Sequence, residues 1–208
     1  MVDGMLALHP GRSVSLLPRA GGHAWGGLLT DWQGTGDDHV LAHVQTDLAA
    51  IDALDHHQVW LSTVGKLDDE DGVTIFAGRA LAQDDGSLLV DGVVRLVSER
   101  RRRAVRAAGA KVRLPDHHGQ PGATLAATDV SRGGLRLAMN GTGWTYDEDV
   151  TVTVELPDAA TVTATARLLR EEDDGDVVLE LDDLAEIDGA AIDRYALTQV
   201  EETGLTTD

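Results

Sequence analysis

The stretch VTVTVELPDAATVTATARLL, residues 150–169, decides the fold. Val150, Val152, Val154 and Leu156 alternate with Thr151, Thr153 and Glu155, and Val162, Ala164, Ala166 and Leu168 repeat the pattern. Successive side chains of a strand point to opposite faces, so this alternation describes two strands with one buried face each. The LPDAA between them, 156–160, supplies the turn. Just upstream, Leu135, Leu137 and Met139 alternate in the same way, and NGTG (140–143) and EEDDGD (171–176) mark further turns. Short strands at such spacing predict an antiparallel barrel or sandwich.

The N-terminal half has the same texture. SVSLLP, WGGLLTDW, HVLAHVQTDL, QVWLSTVG, GVTIFAGRALA and SLLVDGVVRLV read as six strands between polar turns. Neither half shows the βαβ alternation of a parallel sheet. The last N-terminal strand runs out at VRLVSERRRR, which places a domain boundary near 97–100. Near the C-terminus, DGAAIDRYALTQVEE (188–202) puts Ile192, Tyr195, Ala196 and Val200 on one helical face, with Asp188 as the expected N-cap. The reading is all-β: two consecutive small antiparallel β-barrels, residues 1–97 and 98–208, the second followed by a helix.

Charge narrows the function. The 208 residues carry a formal charge of −19 and no cysteine, which excludes disulfides, thiol catalysis and thiolate metal sites. No apolar run approaches the roughly 18 residues of a membrane span, and MVDGMLALHPGRS lacks the pattern of a signal peptide. A cytoplasmic protein is expected, with no membrane insertion. Ten of the seventeen Lys and Arg fall between Arg95 and Arg136 with only Glu99, Asp116 and Asp129, so that window is about +7 and the remainder about −26. A concentrated positive patch on a negative body suits a small anion better than DNA or RNA, whose polyanionic backbone the −26 would repel.

The patch is densest in RRRAVRAAGAKVRLP, 101–115, where Arg102 and Arg106 stand in an RxxxR spacing. Some twenty residues later, DVSRGGLRL places Asp129, Ser131 and Gly134 in a D-x-S-x-x-G pattern before a strand. The two motifs, in this order on a β-rich domain of about 110 residues with a final helix, resemble the PilZ domain, a bacterial receptor module for cyclic di-GMP. A β-rich domain preceding it makes the layout similar to the flagellar brake proteins. The resemblance implies a ligand, cyclic di-GMP, bound by Arg101, Arg102, Arg106, Asp129, Ser131 and Gly134, with no other cofactor. It further implies reorientation of the domains on binding and signalling to a protein partner, with the flagellar motor as the partner that the layout suggests.

Residue chemistry suits such a ligand. Arginine presents a planar, permanently charged fork to phosphate or to guanine O6 and N7, and its guanidinium can stack on a base. Asp129 can accept from guanine N1 and N2. Ser131 adds a short hydroxyl, and Gly133 and Gly134 allow close approach of backbone and ligand. Arg132 and Arg136 either enlarge the positive field or are surface residues of the strand. The repeated DHH, at 55–57 and 116–118, is expected to lie in solvent and not to hold a metal. Trp25, Trp32, Trp60 and Trp144 are expected core or rim anchors, Trp144 with base stacking as its alternative role. No nucleophile–base or paired-carboxylate arrangement is evident, so catalysis is not expected. The competing reading is an adaptor that keeps the fold and binds a partner protein without nucleotide.

Arg101 sets a stoichiometry. An arginine immediately before RxxxR is associated, among PilZ domains, with an intercalated pair of cyclic di-GMP molecules. Two stacked ligands bring four phosphate charges together, and their repulsion needs further cations. Calorimetric titration of the whole chain should therefore give two ligands per chain, falling to one in Arg101→Leu with the fold retained. A wild-type stoichiometry near one would remove this role from Arg101.

Overall fold

The computed structural model describes residues 9–36, 38–67, 70–98, 105–117, 119, 121–139 and 144–203; of residues 65–67, 70–72, 95–98 and 203 only the backbone is described. Two compact units emerge, Met1–Arg103 with Val200–Asp208, and Ala104–Gln199. The first contains β1 (Arg12–Pro18), β2 (Trp25–Gly36), β3 (His39–Gln45), α1 (Leu48–Leu54), β4 (Gln58–Leu67), β5 (Glu70–Ala82) and β6 (Leu88–Ser98). The second contains β7 (Lys111–Arg113), β8 (Thr124–Ser131), β9 (Gly134–Leu137), β10 (Val150–Glu155), β11 (Thr161–Glu171) and β12 (Val177–Asp182), followed by α2 (Glu186–Thr203). Each set of six strands closes into an antiparallel barrel, in the orders β1-β2-β3-β6-β5-β4 and β10-β11-β12-β9-β8-β7. No helix among the described residues is long and apolar enough to cross a membrane.

The alternating residues build the barrel interiors. Val150, Val152, Val154, Leu156, Val162, Ala164 and Ala166 are buried in the second core with Val130, Leu135 and Leu137. Each valine or leucine removed from water this way contributes about 1.5–3 kcal/mol before the entropy of ordering it. Leu168 breaks the expected series, with 39% of its surface exposed. The register of β11 against β12 shifts between Leu168 and Arg170, and such a bulge takes the strand end out of the barrel's alternation. The NGTG turn lies outside the described residues.

Two local features differ from expectation. The third strand stops at Gln45 and does not reach Leu48, because Asp47 caps α1 by accepting from the Ala50 N–H at 2.7 Å. That short helix buries Ala50, Ile51 and Leu54 in the first core. Its signal, an N-cap and apolar residues one turn apart, is present in DLAAIDAL but brief enough to merge with the preceding strand. At the other end, α2 begins at Glu186, so Asp188 lies in the first turn and is not the cap. Its carboxylate there complements the positive end of the helix. Ile192, Tyr195, Ala196 and Val200 are buried, as their spacing predicts.

Gly134 sits where the second barrel's backbones come close. It opens β9 between β8 and β12, and a Cβ built there would stand 2.4 Å from the Leu179 carbonyl oxygen. Backbone cannot yield as a flexible side chain can. Gly133 meets nothing within 4 Å. Gly134→Ala should therefore cost about 1–3 kcal/mol, whereas Gly133→Ala should stay within about 0.5 kcal/mol. Urea midpoints of the two variants check this; equal midpoints would contradict it.

Candidate functional site

Arg106 and Asp129 meet through backbone pairing that extends the barrel beyond its shortest strand. The Ala107 N–H donates to the Val130 carbonyl at 3.0 Å and the Val130 N–H to the Ala107 carbonyl at 2.7 Å. The Ala127 N–H donates to Ala110 at 2.8 Å, so residues 107–110 run along β8 before β7 begins. Ala107 and Val130 bury their side chains, which turns the adjacent Arg106 and Asp129 outward. There Nη1 of Arg106 donates to both carboxylate oxygens of Asp129, each at 2.9 Å. The two residues stand 23 positions apart in sequence.

This pair is easily exchanged. Its side chains are 39% and 27% exposed, and one nitrogen serves both oxygens where a fork-to-fork geometry would use two. Ion pairs so exposed contribute about 0–1 kcal/mol, whereas a hydrogen bond from guanidinium to a bound anion contributes about 1.5–3 kcal/mol. A phosphate or a guanine edge would thus displace the partner at little cost. The arrangement offers donor and acceptor side by side, which is binding chemistry.

Ser131 and Gly134 close the hairpin between β8 and β9. The buried Ser131 hydroxyl donates to the Gly134 carbonyl at 3.2 Å, across the Ser131–Gly134 register pair. Gly134's close neighbour is the β12 backbone, so the open approach is at Gly133. Arg101 and Arg102 lie outside the described residues.

Three other described cations of the basic window, Arg113, Arg132 and Arg136, turn to carboxylates elsewhere. Arg136, paired across the sheet with Asp129, donates through Nε to Asp176 at 2.9 Å and also holds Asp174. Arg113 pairs with Glu155 at 2.6 Å, and Nη1 of Arg132 lies 3.6 Å from Asp193. The positive field expected from these residues is largely cancelled where they sit. Local pairing among Asp and Glu sites absorbs it.

Among the described residues no three His, Asp or Glu gather to hold a metal, and the two DHH stretches differ in exposure. In the first DHH, Asp55 accepts from the Ala82 N–H at 2.7 Å while His56 and His57 are exposed. The second departs from solvent exposure: His117 is only 11% exposed and stacks on Tyr146 with centroids 4.7 Å apart; His118 lies outside the described residues. Trp144 packs on the same Tyr146, whose hydroxyl donates to Pro115 just after β7. Arg113 pairs with Thr124 at that end of β8, six residues from the Ala107–Val130 pairing, or roughly 20 Å along the strand. Trp144 is therefore a rim anchor, at the end of the barrel away from Asp129. Trp60 is a buried anchor whose ring is covered by the Arg19 guanidinium at 4.9 Å.

Residues 100–197 match the family model described as the PilZ domain. No curated protein matches the sequence. Among solved structures, a Bacillus subtilis inhibitor of motility, MotI/DgrA, is similar at 15% identity and TM-score 0.41, over 95% of this chain and 99% of that one. Escherichia coli YcgR, solved in complex with c-di-GMP, is similar at 10% identity and TM-score 0.42, over 93% of this chain and 85% of that one. The MrkH–c-di-GMP complex of K. pneumonia gives 14% identity and TM-score 0.39, over 93% and 89%. Superposition at these scores is loose, and the family match is confined to residues 100–197.

Because the Arg106–Asp129 pair is exposed, Arg106→Ala should lower stability by no more than about 1 kcal/mol. Denaturation midpoints near that of the wild type are expected for Arg106→Ala and Asp129→Ala alike. A large drop in either would make the pair part of the fold instead of the binding surface.

Proposed function

We propose that this chain, whose residues 100–197 match the PilZ domain model, is a cyclic di-GMP receptor without enzymatic activity. The observation that carries the proposal is the meeting of the two motif halves: RxxxR delivers Arg106 within 2.9 Å of Asp129 of D-x-S-x-x-G. Arg106 would donate to phosphate or guanine, Asp129 would accept from guanine N1 and N2, and Ser131 and Gly134 would hold the turn beneath them. Arg101 and Arg102 complete the cation set. The c-di-GMP bound in the E. coli YcgR and K. pneumonia MrkH structures belongs to the same ligand class.

Residues 1–97 act, in this reading, as a flagellar-brake-like domain and 98–208 as the nucleotide-binding domain. Closure of the basic segment on the ligand would change the orientation of the first domain and expose a surface for a protein partner, with the flagellar motor as the output to test first. One observation favours the adaptor alternative: the donor and acceptor satisfy each other without nucleotide.

Calorimetric titration separates the two. Saturable binding of cyclic di-GMP is expected, weakened about tenfold to a hundredfold in Arg106→Ala. Asp129→Ala should weaken cyclic di-GMP and reduce its preference over cyclic di-AMP, although the site becomes more positive. A purely electrostatic site would bind both dinucleotides more tightly in that variant, and an adaptor would bind neither in the wild type.

A further inference from the structure

Both halves of the site are tethered to the same helix. On one side, the Tyr195 hydroxyl of α2 donates to the Ala108 carbonyl, two residues beyond Arg106. Gly109 follows at φ +95°, and a Cβ there would come within 3.2 Å of the same hydroxyl. On the other side stands Arg132, in the turn between Ser131 and Gly134. Its Nη1 lies 3.6 Å from Asp193, and its guanidinium covers Gly189, where a Cβ would stand 2.8 Å from Nε and 3.1 Å from Cζ. Gly189 and Asp193 are four residues apart and share one face of α2.

The helix is suited to hold both. Ile192, Tyr195 and Ala196 are buried in the second core, so α2 cannot roll without opening that core. Burial raises the pKa of the Asp193 carboxyl, against the pull of Arg132 first and Arg194 second. Arg132 is thus the main cation offsetting a carboxylate that burial disfavours. An alanine at 132 would leave that charge poorly compensated. A Cβ at position 189 would crowd the same contact, and the guanidinium would have to shift to accommodate it.

We propose that α2 is the positioning element of the nucleotide site, with Tyr195 and Arg132 as the positioning residues that set the Arg106 segment and the Asp129–Gly134 turn relative to one another. The inference rests on the nucleotide reading above and extends it to two residues outside both motifs. Neither residue needs to touch the ligand. A ligand that moves the turn must then move Arg132 against α2, and occupancy is felt in the helix.

The test uses the full chain with Tyr195→Phe, Arg132→Ala and Arg132→Lys, read by calorimetry with cyclic di-GMP, thermal melting and hydrogen exchange. Tyr195→Phe and Arg132→Ala should each weaken binding by about three- to tenfold, with Arg132→Ala melting below the wild type because Asp193 loses its main counter-charge and Arg132→Lys recovering part of that loss. Lysine keeps the cation for Asp193 but not the plane over Gly189, so Arg132→Lys should restore part of the affinity. Nucleotide should slow exchange at residues 189–196 in the wild type; in Arg132→Ala that slowing should vanish while slowing at 129–134 persists. Wild-type affinity in both Phe and Ala variants, or helix exchange indifferent to nucleotide in the wild type, would overturn the proposal. If the wild type binds no cyclic di-GMP, the receptor reading falls and the tethers are judged on the free chain. There, faster exchange in Arg132→Ala at both 131–135 and 189–193 supports them, and unchanged exchange refutes them.

Discussion

The antiparallel pairing of Ala107 with Val130 is the contact on which the site depends. β7 is only three residues long, yet it must join β8 to β10 to close the barrel. The segment before it prolongs that pairing and carries Arg106 to Asp129. Strand side chains alternate with period two, so a slip of one residue would turn Arg106 toward the core and Ala107 toward solvent. Burial of Ala107 and Val130 opposes such a slip. The hydroxyl of Tyr195, held by the same core, opposes it from the helix side.

A second constraint comes from charge. In a chain of net −19, an arginine seldom stands far from a carboxylate. Arg113, Arg132, Arg136 and Arg167 each find one on a neighbouring strand, turn or helix. Each exposed pair adds about 1 kcal/mol or less to stability, so their main consequence is directional. They orient the guanidinium groups and offset their charge where these residues sit. The pair at Arg106 and Asp129 differs in being exchangeable, suited to a ligand small enough to take both partners at once.

The hairpin motif unites both constraints. Ser131 and Gly134 shape the turn through a hydroxyl-to-carbonyl bond and a missing Cβ. Arg132 between them fastens the turn to Gly189 and Asp193. Three successive requirements, on hydroxyl, charge and the absence of a side chain, therefore fall within four residues. They serve the fold first, and through it the orientation of Asp129.

Period-two alternation is local, so both barrels were legible in the sequence, as was the buried face of α2. Leu168 was misread because a bulge in β11 interrupts the alternation, and α1 because seven residues make a weaker signal than the strand before them. The motif residues Arg106 and Asp129 were also legible as types, and the structure brings them together. The partners of the arginines were not legible. Arg106, Arg132 and Arg136 share one basic window and one chemistry, yet one faces Asp129, one α2 and one the turn before β12. An ion pair requires its atoms within about 4 Å, and which carboxylate comes that close is set by strand register and helix packing across the whole domain. By itself the sequence determined the barrels and the kinds of side chain available to bind; only the tertiary structure decided which arginine meets Asp129 and which ones hold the site in place.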